Sequence, residues 1–488
     1  MARVNRFPRQ APLPPQSERG VSRSFPLSRV VSRLKEVGGP DRVLTEPEKL
    51  VDYGHDESPQ SPRLPDVVVK PVKVTEVAEI VRLAQEERVP VTPRGLGTGL
   101  AGGSVPVYGG IVISTELMDR VLEVDTDNLM VRTQPGVRTV RIGKACEQYH
   151  LYYPVDPASL DDCSIGGNVA TNAGGARAFK YGITGDYVTG IQAVLADGTV
   201  ISYGGKLRKN ATGYDLNKLL IGSEGTLGII TEITLRLVPK PRHQVDILIP
   251  LRNLRLGVEL VLNLVQERRF VPAVIEFMEK KAIQAGAQIF QEELPRQDAA
   301  VQILVEVEGS ENEAVLAEAL AVAELAKRLG GDEPLIAENA ASQARLWKMR
   351  RAIAKSLKQI YPEVVAQDIV VPPARLPETV EFIAELENRF AITIVPFGHI
   401  GDGNIHVDIC RTGADREGWK QKCERIIDAL IDFVVKVGGQ VTAEHGIGSL
   451  KRKLLQKGLT DAEIQVMARL KKALDPDGIL NPGKILPE

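Results

Sequence analysis

Pro93-Arg-Gly-Leu-Gly-Thr-Gly-Leu-Ala-Gly-Gly-Ser-Val-Pro106 is the stretch on which the reading of this chain turns. It contains Gly97-x-Gly99-x-x-Gly102, which matches the dinucleotide fingerprint. That fingerprint carries weight only between a strand and a helix. Residues 89–92, Val-Pro-Val-Thr, supply the strand. No helix can follow, because Gly102, Gly103, Pro106, Gly109 and Gly110 would not sustain one. A Rossmann fold is therefore disfavoured. The physical use of the loop survives: closely spaced glycines let backbone N–H groups converge on phosphate oxygens with no Cβ in the way. Five glycines in the nine residues from Gly95 exceed the needs of a tight surface turn, so the loop reads as a pyrophosphate cradle of another kind.

Two further segments have the same character. Ser164-Ile-Gly-Gly-Asn-Val-Ala-Thr-Asn-Ala-Gly-Gly175 mixes small residues with Asn and Thr donors, which suits close packing against a flat polar ligand. Lys209-Asn-Ala-Thr-Gly-Tyr-Asp215 leads into Gly222-Ser-Glu-Gly-Thr-Leu-Gly228. Around them runs an α/β rhythm. Helices are expected over residues 27–37, 74–88 and 137–149, and strands over 66–70, 89–92, 111–114, 121–124, 129–133 and 229–238, with a hairpin turning at Asp197-Gly198. Pro239-Lys-Pro241 marks a boundary, after which glycine thins out. Strands at 245–250 and 301–308 with helices at 254–268 and 311–329 predict an α+β domain with helices on one face of an antiparallel sheet. Residues 414–474 read as helical, interrupted by a strand and loop at 438–449.

Composition excludes several classes. At 488 residues, the chain is long enough for two or three domains. A formal net charge of -2 gives no electrostatic case for nucleic acid. Cys146, Cys163, Cys410 and Cys423 form no CxxC pair, which argues against an iron–sulfur cluster within this chain and suits a cytoplasmic compartment. No stretch approaches the length of a transmembrane span. Residues 1–24 are rich in Arg, Pro and Ser and read as a disordered extension, or as a transit peptide that would imply mitochondrial import.

Three of the six histidines stand in two glycine-bearing loops, Phe397-Gly-His-Ile-Gly-Asp-Gly-Asn-Ile-His406 and Thr442-Ala-Glu-His-Gly-Ile-Gly448. His399 and His406 flank a tight turn that could bring both rings to one side, and Glu444 would add an oxygen. Two nitrogens, one oxygen and an open position suit Zn, Mn, Fe or Co. The plainer reading is polar loop residues that hydrogen-bond among themselves.

The three glycine segments, together with Gly222-Ser-Glu-Gly-Thr-Leu-Gly-Ile and the closing Pro476-Asp-Gly-Ile-Leu-Asn-Pro-Gly-Lys484, resemble the vanillyl-alcohol-oxidase/PCMH flavoprotein superfamily. The likeness narrows to the branch that holds the glycolate oxidase flavin subunit, D-lactate dehydrogenases and D-2-hydroxyglutarate dehydrogenase. It implies an α+β fold: a PCMH-type FAD-binding domain of two α+β subdomains over 25–240, a ferredoxin-like antiparallel-sheet substrate (cap) domain over 241–412, and a C-terminal helical segment over 413–488. It further implies FAD held by Pro93, Arg94, Gly95, Leu96, Gly97, Thr98 and Gly99 at the pyrophosphate, by Gly166, Gly167, Thr171, Gly174 and Gly175 along the adenine and ribityl region, and by Glu224, Ile230 and Asn481. The first loop lacks the histidine through which some relatives tether the flavin, so FAD should be non-covalent. His399, His406 and Glu444 match metal ligands, for zinc or manganese, His445 a catalytic base, and Arg350 the residue that holds a substrate carboxylate. Asn404 is a further pocket candidate.

The implied activity is oxidation of a D-2-hydroxy acid. Ala354 stands where the hydroxyglutarate branch carries a threonine, and no lysine occurs near residues 365–368 to take a second carboxylate, which favours a short monocarboxylate such as glycolate or D-lactate. Electrons would leave through an iron–sulfur subunit, an electron-transfer flavoprotein, cytochrome c or a quinone, in a homo-oligomer, a multi-subunit complex or at a membrane surface. The competing readings are an oxygen-using flavin oxidase of alcohols or sugars, and a non-catalytic flavin subunit. The paired histidine loops with Glu444 argue against the first, and an intact His445 beside Glu444 against the second.

Overall fold

A computed structural model describes residues 25–290, 296–413 and 418–487, with the side chains of residues 289 and 290 excepted. The expected N-terminal extension, residues 1–24, lies outside them. The first half is built on two sheets. In one, the strands run in the order Val43–Leu44, Val67–Val69, Ile111–Ser114, Val91–Arg94, and the last three are parallel. Helices Leu27–Gly38 and Val74–Glu86 cover this sheet with Val30, Leu34, Val77, Ile80 and Val81, all at helical spacing and all buried. In the other, five antiparallel strands run in the order Val121–Asp125, Met130–Thr133, Ile229–Arg236, Val188–Val194, Val200–Gly204. The loop after Val91–Arg94 runs on to Ile111–Ser114 without a helix, as its glycines and prolines require. The second glycine segment does contain one: Ile165–Thr171, capped by the Ser164 side chain, was not foreseen as a helix.

The cap sheet has seven antiparallel strands in the order Leu335–Ala337, His243–Leu251, Val301–Gly309, Val274–Glu279, Thr393–His399, Asn404–Cys410, Val364–Val370. The expectation of helices on one face is corrected. Leu254–Gln266, Asn312–Arg328, Leu376–Phe390 and Trp419–Lys436 cover a largely apolar face. Lys280–Phe290 and Ala340–Ile360 cover the other. Register places Asp246, Glu276, Glu306, Asp368, His399 and His406 together on that second face.

The C-terminal stretch is divided between the two halves. Trp419–Lys436 belongs to the cap core through Cys423, Ile426, Leu430 and Ile431. The strand expected within residues 438–449 reduces to one bridge between Gln440 and Val370, because the loop there is hydrogen-bonded to a side chain, not to a neighbouring strand. Ile479 and Leu480 return to the core of the first sheet, where Asn481 N donates to Val91 O at 2.7 Å. Among the described residues no helix is long and apolar enough to cross a membrane.

Candidate active site

A cavity of about 800 Å³, on the scale of a large ligand site, is walled by the glycine loops. Pro93, Arg94, Gly95, Leu96, Gly97, Thr98, Gly99, Gly166, Gly167, Thr171, Gly174, Glu224 and Ile230 all line it. Backbone shape carries this wall. A Cβ on Gly95 would meet Ser164 Oγ at 2.2 Å, so two glycine segments approach each other more closely than side chains allow. Gly97 adopts φ +77° and wraps the Arg94 guanidinium, which donates to the carbonyls of His55 and Asp52 at 2.5 and 2.9 Å. Burial lowers the Arg94 pKa, as it disfavours the charged form. These features fit a dinucleotide held mainly by backbone groups.

Gly175 and Asn481 do not line the cavity. Gly175 packs on the Asp156 carbonyl. Asn481 Nδ2 donates to the carbonyls of Gly103 and Glu224 at 2.9 and 2.7 Å, which braces the cofactor loops from behind. Cys163 is buried against the Thr139 hydroxyl.

At one end the cavity is lined by Glu444 and His445. Here the second face of the cap sheet contributes. The hairpin Thr393–His399/Asn404–Cys410 projects His399 and His406 to one side, with ring centroids 5.3 Å apart, and His445 stacks on His406 at 5.5 Å. The three Nε2 atoms, of His399, His406 and His445, lie 3.8, 3.7 and 3.9 Å from the same oxygen, Glu444 Oε1. These separations are too long for hydrogen bonds.

Carboxylates stand behind the rings. Glu276 is hydrogen-bonded to His399 Nδ1. Asp368 lies 3.7 Å from His406 Nδ1 and 4.0 Å from His445 Nδ1. A carboxylate behind Nδ1 orients an imidazole so that Nε2 faces a metal.

Asp368 also organises the loop. Its Oδ2 accepts from the Thr442 hydroxyl and from the N–H groups of Ala443, Glu444 and His445, at 2.8 to 3.0 Å. Asn404 Nδ2 donates to its Oδ1 at 2.7 Å. Asp368, His406, Glu444 and His445 each place a ligand-type atom within 4.8 Å of the others. Asp368 is nevertheless saturated with donors, whereas His399 offers an Nε2 that faces Glu444. Arg350 pairs with Glu276 at 2.5 Å, lies over the Phe397 ring and does not line the cavity; its Nε is buried with no hydrogen-bond partner among the described residues.

Four carboxylates, those of Glu276, Asp368, Asp402 and Glu444, crowd the three imidazoles, with the cations of Arg350 and Lys451 beside Glu276 and Asp368. Burial raises the Glu444 carboxyl, but the three histidines outweigh it and hold it at about 2. Burial would lower His399, yet Glu276 and Glu444 raise it well above the usual histidine range. Burial takes His406 down to about 3.

Glu276, Asp368 and Lys451 were not foreseen from sequence. The available signal was a lone charge inside an apolar strand, as in Val274-Ile-Glu-Phe-Met278.

Comparison with known proteins agrees with this architecture. Residues 65–204 match the FAD binding domain family, and residues 240–485 match the family described as FAD linked oxidases, C-terminal domain. The chain belongs to the FAD-linked oxidases and is an FAD-linked oxidoreductase. The glycolate oxidase subunit GlcD of Bacillus subtilis is 35% identical over 93% of this chain and 96% of its own length. A D-lactate dehydrogenase of Archaeoglobus fulgidus is 37% identical over 89% and 95%. A D-2-hydroxyglutarate dehydrogenase of Stutzerimonas stutzeri is 34% identical over 93% and 98%. In fold the chain is similar to p-cresol methylhydroxylase, with a TM-score of 0.78 at 17% identity over 94% of this chain and 96% of that one.

Proposed function

We propose that the protein oxidises a short D-2-hydroxy acid, glycolate or D-lactate, to the 2-oxo acid and passes the electrons to a separate acceptor. The observation that carries this reading is that Glu444 and His445 line the same cavity as the FAD loops, with three imidazole Nε2 atoms turned toward Glu444 Oε1. His399, His406 and Glu444 would hold a divalent cation, zinc or manganese, with Glu276 and Asp368 behind them. When bound, FAD accepts the C2 hydrogen as hydride and the cation lowers the pKa of the substrate hydroxyl. His445 takes the hydroxyl proton at Nε2, and Asp368 behind its Nδ1 favours the imidazolium that forms. Arg350, which pairs with Glu276 behind His399 and does not line the cavity, would support that imidazole through the carboxylate.

FAD is held non-covalently, since the first glycine loop has no histidine. The four cysteines are buried and unpaired, so the acceptor is an iron–sulfur subunit, an electron-transfer flavoprotein, cytochrome c or a quinone. The short monocarboxylate is favoured by Ala354 and by the lack of a lysine near Asp368 in sequence.

Anaerobic bleaching of the flavin band tests the reading, with glycolate, D-lactate, L-lactate and D-2-hydroxyglutarate added in turn. Bleaching by glycolate or D-lactate is expected; a flavin that none of the four reduces would point to an alcohol or sugar oxidase, or to a non-catalytic subunit. Stripping the metal with a strong chelator is expected to abolish bleaching, and added zinc or manganese to restore it. Full turnover by metal-free protein would remove the cation from the chemistry.

A further inference from the structure

Glu224 stands in the third glycine segment, where the resemblance places it against the cofactor. Its carboxylate does something else as well. Oε1 accepts the N–H of Ile447 and Oε2 the N–H of Gly448, both at 2.8 Å. These amides follow His445 by two and three residues. The side chain is 7% exposed and lines the FAD cavity.

Three features show that the contact is built. Glu224 sits at φ +50°, a left-handed backbone that a non-glycine residue adopts at a cost of about 1 kcal/mol. Its own N–H donates to Ala170 O at 2.8 Å and its carbonyl accepts from Asn481 Nδ2 at 2.7 Å, so the turn is held on both sides. Gly446, at φ +78°, faces it: a Cβ there would lie 2.8 Å from Glu224 Oε1.

The loop 442–448 is thus suspended between two buried carboxylates. Asp368 of the cap sheet takes the N–H groups of residues 443–445, and Glu224 of the FAD-binding half takes those of 447 and 448. We propose that Glu224 is a positioning residue that fixes Glu444 and His445 relative to the flavin cavity by clamping the backbone behind them.

Glu224→Gln is the test, because the amide must turn an NH2 toward one of the two N–H donors. In holoprotein, amide hydrogen exchange at Ile447 and Gly448 is expected to rise about 10-fold or more, with the Ile111–Ser114 strand unchanged. Flavin reduction by glycolate or D-lactate should slow by about 10-fold with KM within about twofold, while reduction by dithionite, which needs no base, stays at the wild-type rate. The kinetic arm rests on the proposed hydroxy-acid chemistry and the exchange arm does not. If neither acid reduces the wild-type flavin, the substrate reading fails and the exchange result alone decides the clamp. Unchanged exchange at Ile447 and Gly448 would overturn the proposal. So would a variant that loses FAD but whose FAD-bound fraction reacts at the wild-type rate. Should Glu224→Gln not fold, Gly446→Ala disturbs the same contact from the loop side and is read in the same two ways.

Discussion

The two walls of the cavity are made of different material. The FAD-binding wall is backbone: short runs of glycine and small residues, each continuous in sequence. The cap wall is side chain: Glu444 and His445 line the cavity, and Glu276, Arg350, Asp368, His399 and His406 stand behind them, drawn from separated stretches of one sheet, one helix and one loop. A backbone wall is specified locally, by where a Cβ cannot be. A side-chain wall is specified by register across a sheet, because only pairing decides which residues share a face.

Each wall should therefore fail in its own way. The largest expected effect is on the side-chain wall. His445→Ala should slow substrate-dependent flavin reduction by about 10²–10⁴-fold while FAD stays bound, as loss of a general base does. Stopped-flow reduction under nitrogen, with the flavin spectrum taken beforehand, measures both. If FAD is lost along with activity, the walls are not separable in the way described. Wild-type reduction would remove His445 from the proton transfer.

Gly166→Ala should do the reverse. A Cβ at Gly166 would lie 2.5 Å from Pro135 Cβ and 2.8 Å from its carbonyl oxygen, and neither can swing away. Overpacking of this kind costs about 1–3 kcal/mol. The variant should bind FAD more weakly and melt at a lower temperature, yet retain whatever divalent metal the wild type binds, at the same ratio. Equilibrium flavin titration and metal analysis of the same sample decide it. Parallel loss of metal and flavin would mean that the cofactor wall supports the histidine cluster directly.

The contrast also explains what could be read in advance. The fold of the first half was legible because its strands, its helices and its glycine cradle are local patterns. His399, His406, Glu444 and His445 were legible because tight glycine turns surround them. Glu276 and Asp368 were not: each is a single acid among apolar strand residues. Asp246, Glu276 and Glu306 alternate with apolar neighbours, the pattern of a sheet with one solvated face. The expectation of helices on one face only came from the order of strands and helices after residue 241, which says nothing of the second face. The polar face is in fact buried, against two helices and the FAD-binding half. Arg177, from the cofactor half, reaches across to Glu306 and Glu308 at 2.7 and 3.1 Å.

Where the two walls meet, the comparison can be sharpened with the smallest change. Asp246 lies opposite Glu306 in the sheet, fully buried, and neither of its oxygens has a hydrogen bond of good geometry among the described residues. Burial, and then the neighbouring Glu306, raise the Asp246 carboxyl far above the usual range; Arg177 and the Trp347 indole pull it back in part. An acid whose folded pKa is raised binds more protons folded than unfolded once the pH passes its unfolded value of about 3.9. Stability then falls as pH rises from that value toward the folded one, and levels off beyond it. Asparagine has the same shape and does not titrate. Asp246→Asn should therefore match the wild type near pH 4 and gain on it as pH rises, by about 1 kcal/mol or more where the carboxyl would be charged. Melting temperatures of the two proteins from pH 4 to pH 9 test this. A difference that stays flat across the range would mean that Arg177 already keeps Asp246 charged, and that the join between the walls is an ion-pair network with no buried neutral acid in it.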